Sequence, residues 1–303
     1  MTRPRIAVLG SANMDLVVTV DRAPSLGETV TGRTFHTVPG GKGANQALAA
    51  VRAGGDVTFL GAVGDDVYGA EIRALLAGER IVTALATSDQ PTGTAHIVVD
   101  ARGGNSIVVV PGANGTVTTL TGAHRTAITA ADVLLLQLEL PIPVVVEAAA
   151  FARSAGIRVV LTPAPAAPLT PDLLAVVDLL VPNEHEAALL IGESSGRGSP
   201  HTAGTALATR TNAVLLTLGS AGSAYFAGDA APIEVPAFAV DVVDTTAAGD
   251  TFVGAFAVAH AEGRPVAEAM RWASAAAALS VQRLGASSSM PERAEVDAFL
   301  ERA

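Results

Sequence analysis

Short apolar runs separated by longer amphipathic stretches set the rhythm of this chain. Residues 6–9, 57–60, 133–136, 159–161, 179–181 and 214–217 are rich in Val, Ile and Leu, with little polar alternation. Runs of that kind read as strands buried on both faces. Between them, residues 44–53, 69–77, 144–155, 184–191 and 202–211 carry helical spacing, and helices are expected again at 249–262, 265–281 and 291–300. Pro265 and Pro291 sit near helix starts, where proline is tolerated. Strand and helix alternating in this way imply a mainly parallel sheet with right-handed crossovers, here a single α/β domain over residues 1–303.

Two regions break the rhythm. Residues 16–20 and 28–38 alternate polar with apolar, and 94–99 with 105–110 form a hairpin around 102–104. Alternation predicts a half-exposed sheet separate from the main one, built from segments near 12–40 and 93–112. Such a sheet is either an ordinary β-edge or a lid projecting from the core. Residues 192–200, rich in Gly and Ser, read as a surface connection.

Composition narrows the function. Half of the residues are hydrophobic and 16% are charged, which is a folded rather than a disordered composition. The formal net charge of -10 argues against a nucleic-acid partner and against an anionic membrane surface, but not against one small phosphorylated ligand. The absence of cysteine removes disulfides, thiolate zinc sites and cysteine nucleophiles, and fits a cytoplasmic protein. The apolar runs at 6–9 and 273–281 are too short for a secretory leader and a membrane span.

Four polar clusters carry candidate chemistry. The run Asp244-Thr-Thr-Ala-Ala-Gly-Asp250 opens a strong helical pattern. Free N–H groups at a helix start attract an anion, and Ala247, Ala248 and Gly249 are small enough to let a phosphate approach the backbone. Asp250 beside that site is either a helix cap or a base for phosphoryl transfer to an alcohol. The run Gly40-Gly-Lys-Gly-Ala-Asn45-Gln-Ala is not a Walker phosphate loop, because Gly43 follows Lys42 where Ser or Thr is required. Its glycines let backbone approach a ligand, to which Lys42 and Asn45 offer donors. Asn13 and Asp15, two apart on an extended segment, face the same way and suit a polyhydroxylated ligand, or an Asx-rich turn. Asn183 opens a helix after a buried strand, with Glu186 in its first turn. Capping accounts for that pair, and strand ends of open α/β sheets are also where ligands bind. No G-x-G-x-x-G follows the first strand, which sets a dehydrogenase aside.

Taken together, GSANMD at 10–15, SLGETVTG at 25–32, GGKGANQA at 40–47, GAVGDD at 61–66, PGAN at 111–114, QLE at 137–139, TPAPA at 162–166, PNEHE at 182–186, TLGSAG at 217–222 and DTTAAGD at 244–250 resemble the ribokinase-like (PfkB) carbohydrate kinases over nearly the whole chain. The resemblance implies a three-layer α/β/α core with a mostly parallel sheet and a small projecting β-sheet lid. It implies ATP-dependent phosphorylation of the primary 5-hydroxyl of ribose, with Asp250 as base and an anion hole at 247–249. Asn13, Asp15, Gly41, Lys42, Asn45 and Glu139 are implied to hold the sugar. Asn183, Thr217, Leu218, Gly219, Ser220, Ala221, Gly222, Gly249 and Ser274 are implied to contact ATP, with Ser274 where family members often carry Asn or His near the adenine. Glu186 is implied to organise Mg²⁺ through water, and Asp244, Thr246, Ser280, Arg283, Gly285 and Ser289 to surround an activating monovalent cation, K⁺. Pairing of two copies through their lids is implied as well. The competing readings are a family kinase of deoxyribose, a ketose or a nucleoside, and a non-catalytic sugar-binding regulator on the same fold.

Overall fold

The computed structural model describes residues 2–193 and 199–303. In chain order, β1 (Arg5–Leu9) leads into β2 (Asn13–Thr19), β3 (Thr34–Gly40), α1 (Lys42–Arg52), β4 (Asp56–Gly64), α2 (Val67–Gly78) and β5 (Val82–Ser88). The hairpin of β6 (Gly93–Val99) and β7 (Asn105–Val110) follows. Then come α3 (Gly122–Ala130), β8 (Val133–Leu136), α4 (Ile142–Ser154), β9 (Arg158–Leu161), α5 (Pro171–Val176), β10 (Leu179–Leu180), α6 (Glu184–Leu190), α7 (Pro200–Ala208) and β11 (Val214–Thr217). The chain closes with β12 (Ser223–Phe226), β13 (Ile233–Val235), α8 (Ala248–Ala261), α9 (Val266–Ser280) and α10 (Arg293–Leu300).

A nine-stranded sheet runs in the order β13-β12-β11-β10-β9-β8-β1-β4-β5. It is parallel from β11 to β5, and β12 and β13 join antiparallel at one edge. The uninterrupted apolar runs follow from cores on both faces. Ile6 and Val8 of β1 enter a core with α1, α8 and α9, while Ala7 and Leu9 enter a second core with α3 and α4. Val133 and Leu135 of β8 part from Leu134 and Leu136 in the same way. Successive side chains leave a strand on opposite faces, so a strand clothed on both sides has no polar position.

The second sheet has the order β3-β2-β6-β7, with β2 and β6 parallel and the other pairs antiparallel. Residues 28–33, expected to be strand, lie outside β3. At the start of this stretch the backbone N–H of Ser25 donates to the Glu28 carboxylate at 3.0 Å, which also pairs with Arg22, and at its end the Arg33 N–H donates to Thr19 O at 2.7 Å. Of the connection expected at 192–200, residues 194–198 lie outside the described residues.

The glycines at 40–43 serve the chain's own packing more than a ligand's approach. Gly41 has φ 90, and a Cβ there would lie 2.8 Å from the Asn13 nitrogen. A Cβ on Gly43 would lie 2.6 Å from the Gly10 carbonyl carbon and 2.7 Å from the Ser11 nitrogen. The start of α1 is therefore pressed against the end of β1, backbone to backbone. Gly43→Ala is expected to lower stability by about 1–3 kcal/mol or more, since neither backbone can yield cheaply. Calorimetry checks this, and an unchanged melting temperature would show that α1 slides freely.

Candidate active site

The start of α8 organises the site. Ala247 adopts the left-handed conformation (φ 57, ψ 15) just before the helix, a strained choice for a residue with a Cβ. The Ala248 N–H donates to Thr245 O at 3.2 Å and the Thr251 N–H to Ala247 O at 2.8 Å. Among the described residues, the N–H groups of Gly249 and Asp250 find no acceptor. Gly249 is exposed, and a side chain there would meet no protein atom within 4 Å. Two unpartnered amides at the positive end of a helix, beside open space, form an anion-binding geometry.

Asp250 lies further into the protein and is 8% exposed. Gly254, four residues on, explains its neighbours: a Cβ at 254 would lie 2.7 Å from Gln46 O and 2.6 Å from Ala49 Cβ. α8 thus rests directly on α1, and residues four apart share a helix face. That contact carries Asp250 to the first turn of α1. Gln46 donates through Nε2 to Asp250 Oδ1 at 3.0 Å, and Asn45 through Nδ2 to Oδ2 at 3.4 Å. Burial pushes the Asp250 carboxyl above its ordinary range, against the opposing pull of Lys42.

Lys42, Glu139 and Asp15 complete the cluster. Glu139 Oε2 accepts the Lys42 backbone N–H at 3.0 Å and the Ser11 hydroxyl. It thereby caps α1, whose own N-cap residue, Gly41, has no side chain to do so. Burial draws the Lys42 ammonium down, yet Asp250, Glu139, Glu186 and Asp15 together hold it above its usual value. Among the described residues it makes no direct ion pair. Asp15 is raised from 3.8 to about 7, first by burial and then by the charges of Glu139 and Asp250. Asn13 is buried, and its Oδ1 accepts Asn114 Nδ2 at 2.8 Å. Asn114 also clasps Ala12 through both backbone groups, at 3.0 and 3.1 Å.

Reasoning from sequence does not single out Gln46, Asn114 or Gln137. Gln137 Nε2 donates to Gln46 Oε1 at 2.6 Å. A signal is present for Gln46: Lys42, Asn45 and Gln46 stand at i, i+3 and i+4, one face of a helix.

The remaining candidates lie around this centre. Asn183 and Glu186 form a capping box on α6, with Asn183 Oδ1 accepting the Glu186 N–H at 2.8 Å and Glu186 Oε2 accepting the Asn183 N–H at 2.9 Å. The other Glu186 oxygen has no partner among the described residues, and burial raises this carboxyl too. Thr217 pairs with Asn183 in a parallel bridge, and its N–H reaches Pro182 O at 3.0 Å. Residues Gly219–Ala221 form a single 3₁₀ turn. Gly222 is structural as well, because a Cβ there would sit 2.1 Å from Val235 O. Ser274 is buried on α9.

Asp244 ties two loops together. Its Oδ1 accepts the Thr246 N–H at 2.9 Å and the Thr246 hydroxyl at 2.6 Å, and its Oδ2 accepts the Gly285 N–H at 2.8 Å. Burial works against its charge, but these bonds outweigh burial and lower its pKa. The Ser280 and Ser289 hydroxyls turn to the carbonyls of Ala277 and Ala286, each at 2.8 Å. The Arg283 side chain leaves this region to pair with Glu295. Among the described residues the carbonyls of Thr246, Arg283, Gly285 and Ser289 accept no hydrogen bond, and no group of three or more His, Cys, Asp or Glu side chains is arranged to hold a metal ion.

Fold and site together define a carbohydrate kinase. The sequence profile of the pfkB family carbohydrate kinases matches residues 3–293, and the chain belongs to this family. It is 45% identical over 298 residues to the ribokinase of Bacillus subtilis (strain 168), covering 97% of this chain and 99% of that one. The ribokinase of Schizosaccharomyces pombe is 41% identical, with 96% of each chain covered. Among solved structures, Arabidopsis thaliana ribokinase complexed with ribose and ATP superposes with a TM-score of 0.90 at 36% identity over 99% of both chains. The crystal structure of ribokinase from Thermotoga maritima gives 0.89 at 37% identity, covering 99% of this chain and all of that one.

The raised pKa of Asp15 bears on stability. A carboxyl with a folded value above its unfolded one destabilises the fold as pH climbs from the unfolded value of 3.8 through the folded value of about 7. Asp15→Asn is therefore expected to raise the melting temperature by a few degrees at pH 8, since moving a pKa by one pH unit corresponds to about 1.4 kcal/mol. At pH 4 the gain vanishes. Thermal melts across that range check the sign, and a lower melting temperature for the variant at pH 8 would refute it.

Proposed function

We propose that this kinase transfers the γ-phosphoryl group of ATP to the primary 5-hydroxyl of ribose, with Asp250 as general base. The observation that carries the reading is the buried Asp250 carboxylate at a helix start whose Gly249 and Asp250 amides lack acceptors among the described residues. The base and the anion site needed for phosphoryl transfer to an alcohol thus adjoin. Near full-length similarity to ribokinases, one of them complexed with ribose and ATP, supplies the choice of sugar.

The sugar lies between Asn13, Asp15, Lys42, Asn45 and Glu139. Its 5-hydroxyl gives a proton to Asp250 as its oxygen bonds the γ-phosphorus, the bond from phosphorus to the β-bridging oxygen breaks, and ADP leaves. The amides at 249 and 250, together with the 247–248 backbone, offset the charge on the moving group. Asn183, Thr217, the 218–222 turn and Ser274 border the nucleotide. Asp15, Glu139, Asp250 and Glu186 face a single ammonium, Lys42, so a divalent cation suits the charge balance. Glu186 would hold Mg²⁺ through water on its open oxygen, and the ion would neutralise charge on the phosphates. The unpartnered carbonyls of Thr246, Arg283, Gly285 and Ser289 near Asp244 suit K⁺.

The second sheet acts as the lid over the sugar, since β2 carries Asn13 and Asp15 at its start. Its outer strands expose Phe35, Val108 and Val110 on one face and Ile107 and Val109 on the other, apolar surface that fits pairing of two copies through their lids. No helix is long and apolar enough to cross a membrane among the described residues, and the proposed setting is the cytoplasm.

Asp250→Asn is expected to lower kcat by about 10²–10⁴-fold in a folded protein. Product analysis over ribose, deoxyribose, fructose and adenosine then fixes the substrate, with ribose the expected best. Near wild-type turnover in the variant would remove the base assignment, and preference for another acceptor would replace ribose.

The cation site is tested separately. At fixed ionic strength, activity should fall when K⁺ is replaced by Na⁺ or a bulky organic cation, and Asp244→Ala should blunt that response. Equal rates in all salts for the unaltered enzyme would leave Asp244 as a tie between loops only.

A further inference from the structure

Behind Asp250 lies a chain of buried amides. Gln46 is 0% exposed and Gln137 is 1% exposed. Gln46 Nε2 donates to Asp250 Oδ1 at 3.0 Å and to Thr162 Oγ1 at 3.2 Å, using both its hydrogens. Its Oε1 accepts Gln137 Nε2 at 2.6 Å. The amide therefore has one usable orientation. Turning it over would set Gln46 Oε1 against the Asp250 carboxylate and Gln46 Nε2 against a Gln137 donor, leaving both contacts repulsive.

We infer that Gln46, held in orientation by Gln137, is a positioning residue that fixes Asp250 Oδ1 and leaves Oδ2 as the oxygen that takes the substrate proton. The inference rests on the reading of Asp250 as general base. The geometry separates the two oxygens. Oδ1 is engaged at full hydrogen-bond strength by Gln46, whereas Oδ2 has only the long 3.4 Å contact from Asn45, itself a sugar-side residue. Gln137 Oε1 has no partner among the described residues, and a Cβ on Gly10 would lie 2.1 Å from it. The Gln137 amide is thus wedged against the end of β1, its acceptor unsatisfied, with its donor aimed at Gln46. Leaving a buried acceptor unpaired is costly, and the arrangement is consistent with the donor end carrying the function.

The charged groups around Asp250 bear on its titration: Lys42 on α1, Glu139 after β8, Asp15 on β2 and Glu186 on α6. Lys42 favours the ionised base, and the three carboxylates oppose it. Gln46 adds a neutral donor on the side that favours ionisation. Its loss should move the base toward the protonated form without altering the net charge of the cluster.

The test is kcat and kcat/KM against pH for the full-length enzyme, for Gln46→Met and for Gln137→Met, with melting temperatures measured alongside. Expected for Gln46→Met is an acidic limb displaced upward by about one pH unit or more, the effect of losing one hydrogen bond to a charged group. Turnover at pH values below the limb then falls by about tenfold or more, and recovers toward the unaltered rate at alkaline pH. Gln137→Met, which removes one of the two contacts that hold the Gln46 amide in orientation, shows a smaller displacement in the same direction. A loss equal at every pH, or no change, in both variants would overturn the inference. Should Gln46→Met fail to fold, the Gln137→Met profile decides by the same criterion. The two readings fail separately: an active Asp250→Asn removes the base, while an inactive Asp250→Asn beside undisplaced glutamine profiles removes only the positioning role.

Discussion

A carboxylate withdrawn from water, with more negative than positive charge around it, is the constraint on which this site depends. Asp250 is buried at the start of α8, and Asp15, Glu139 and Glu186 all lie within electrostatic reach of it or of Lys42. Burial, and after it the excess of four carboxylates over one ammonium, raises the pKa of some of these groups, Asp15 to about 7. Burying charge is costly unless it is paired and hydrogen-bonded. The structure answers with neutral donors, from the amides of Asn45 and Gln46, and with helix starts aimed at the anions.

Two close approaches of bare backbone create that arrangement. Gly43 lets α1 begin against the end of β1, and Gly254 lets α8 lie on α1. Together they bring residues from distant parts of the chain within hydrogen-bond range of one carboxylate. The second sheet grows from the same place, because β2 begins at Asn13 and β3 ends at Gly40. A Cβ at Gly40 would lie 2.3 Å from the Asp15 carboxylate, so this glycine makes room for a charged side chain.

The central strands were legible because a strand buried on both faces must be apolar throughout, and β1, β8 and β11 nearly are. β5 was not, since it lies at an edge and its Val-Thr-Ala-Leu-Ala-Thr-Ser sequence is largely exposed or half-buried. α3 was hidden by its short run of mixed residues, with Ile128 its one large apolar side chain, and β12 and β13 by their shortness. The 28–33 stretch alternates as a strand does, yet it pairs with β2 only at its end, where the Arg33 N–H donates to Thr19 O at 2.7 Å. Around the site, the small residues at 247–249 and the acid at 250 announced themselves through the chemistry of helix starts. Gln137 and Asn114 did not, because a buried amide carries no mark of burial in the sequence, and Gln46 showed only through its place on the helix face of Lys42 and Asn45. Their partners lie 91 to 204 residues away, too far for any local pattern to register.

Gly249 and Gly254 stand on one helix and are bare for opposite reasons. At 254 the neighbouring helix fills the space a side chain would need, whereas at 249 the space is open. Bulk at 254 is thus an error the protein itself would detect while folding. Bulk at 249 would pass unnoticed until a ligand arrived. On the proposed reading, a variant enlarged at 249 is a natural reference protein: correctly assembled, still able to receive sugar, and blind to the nucleotide's phosphates. Such a molecule would let sugar capture be measured apart from catalysis.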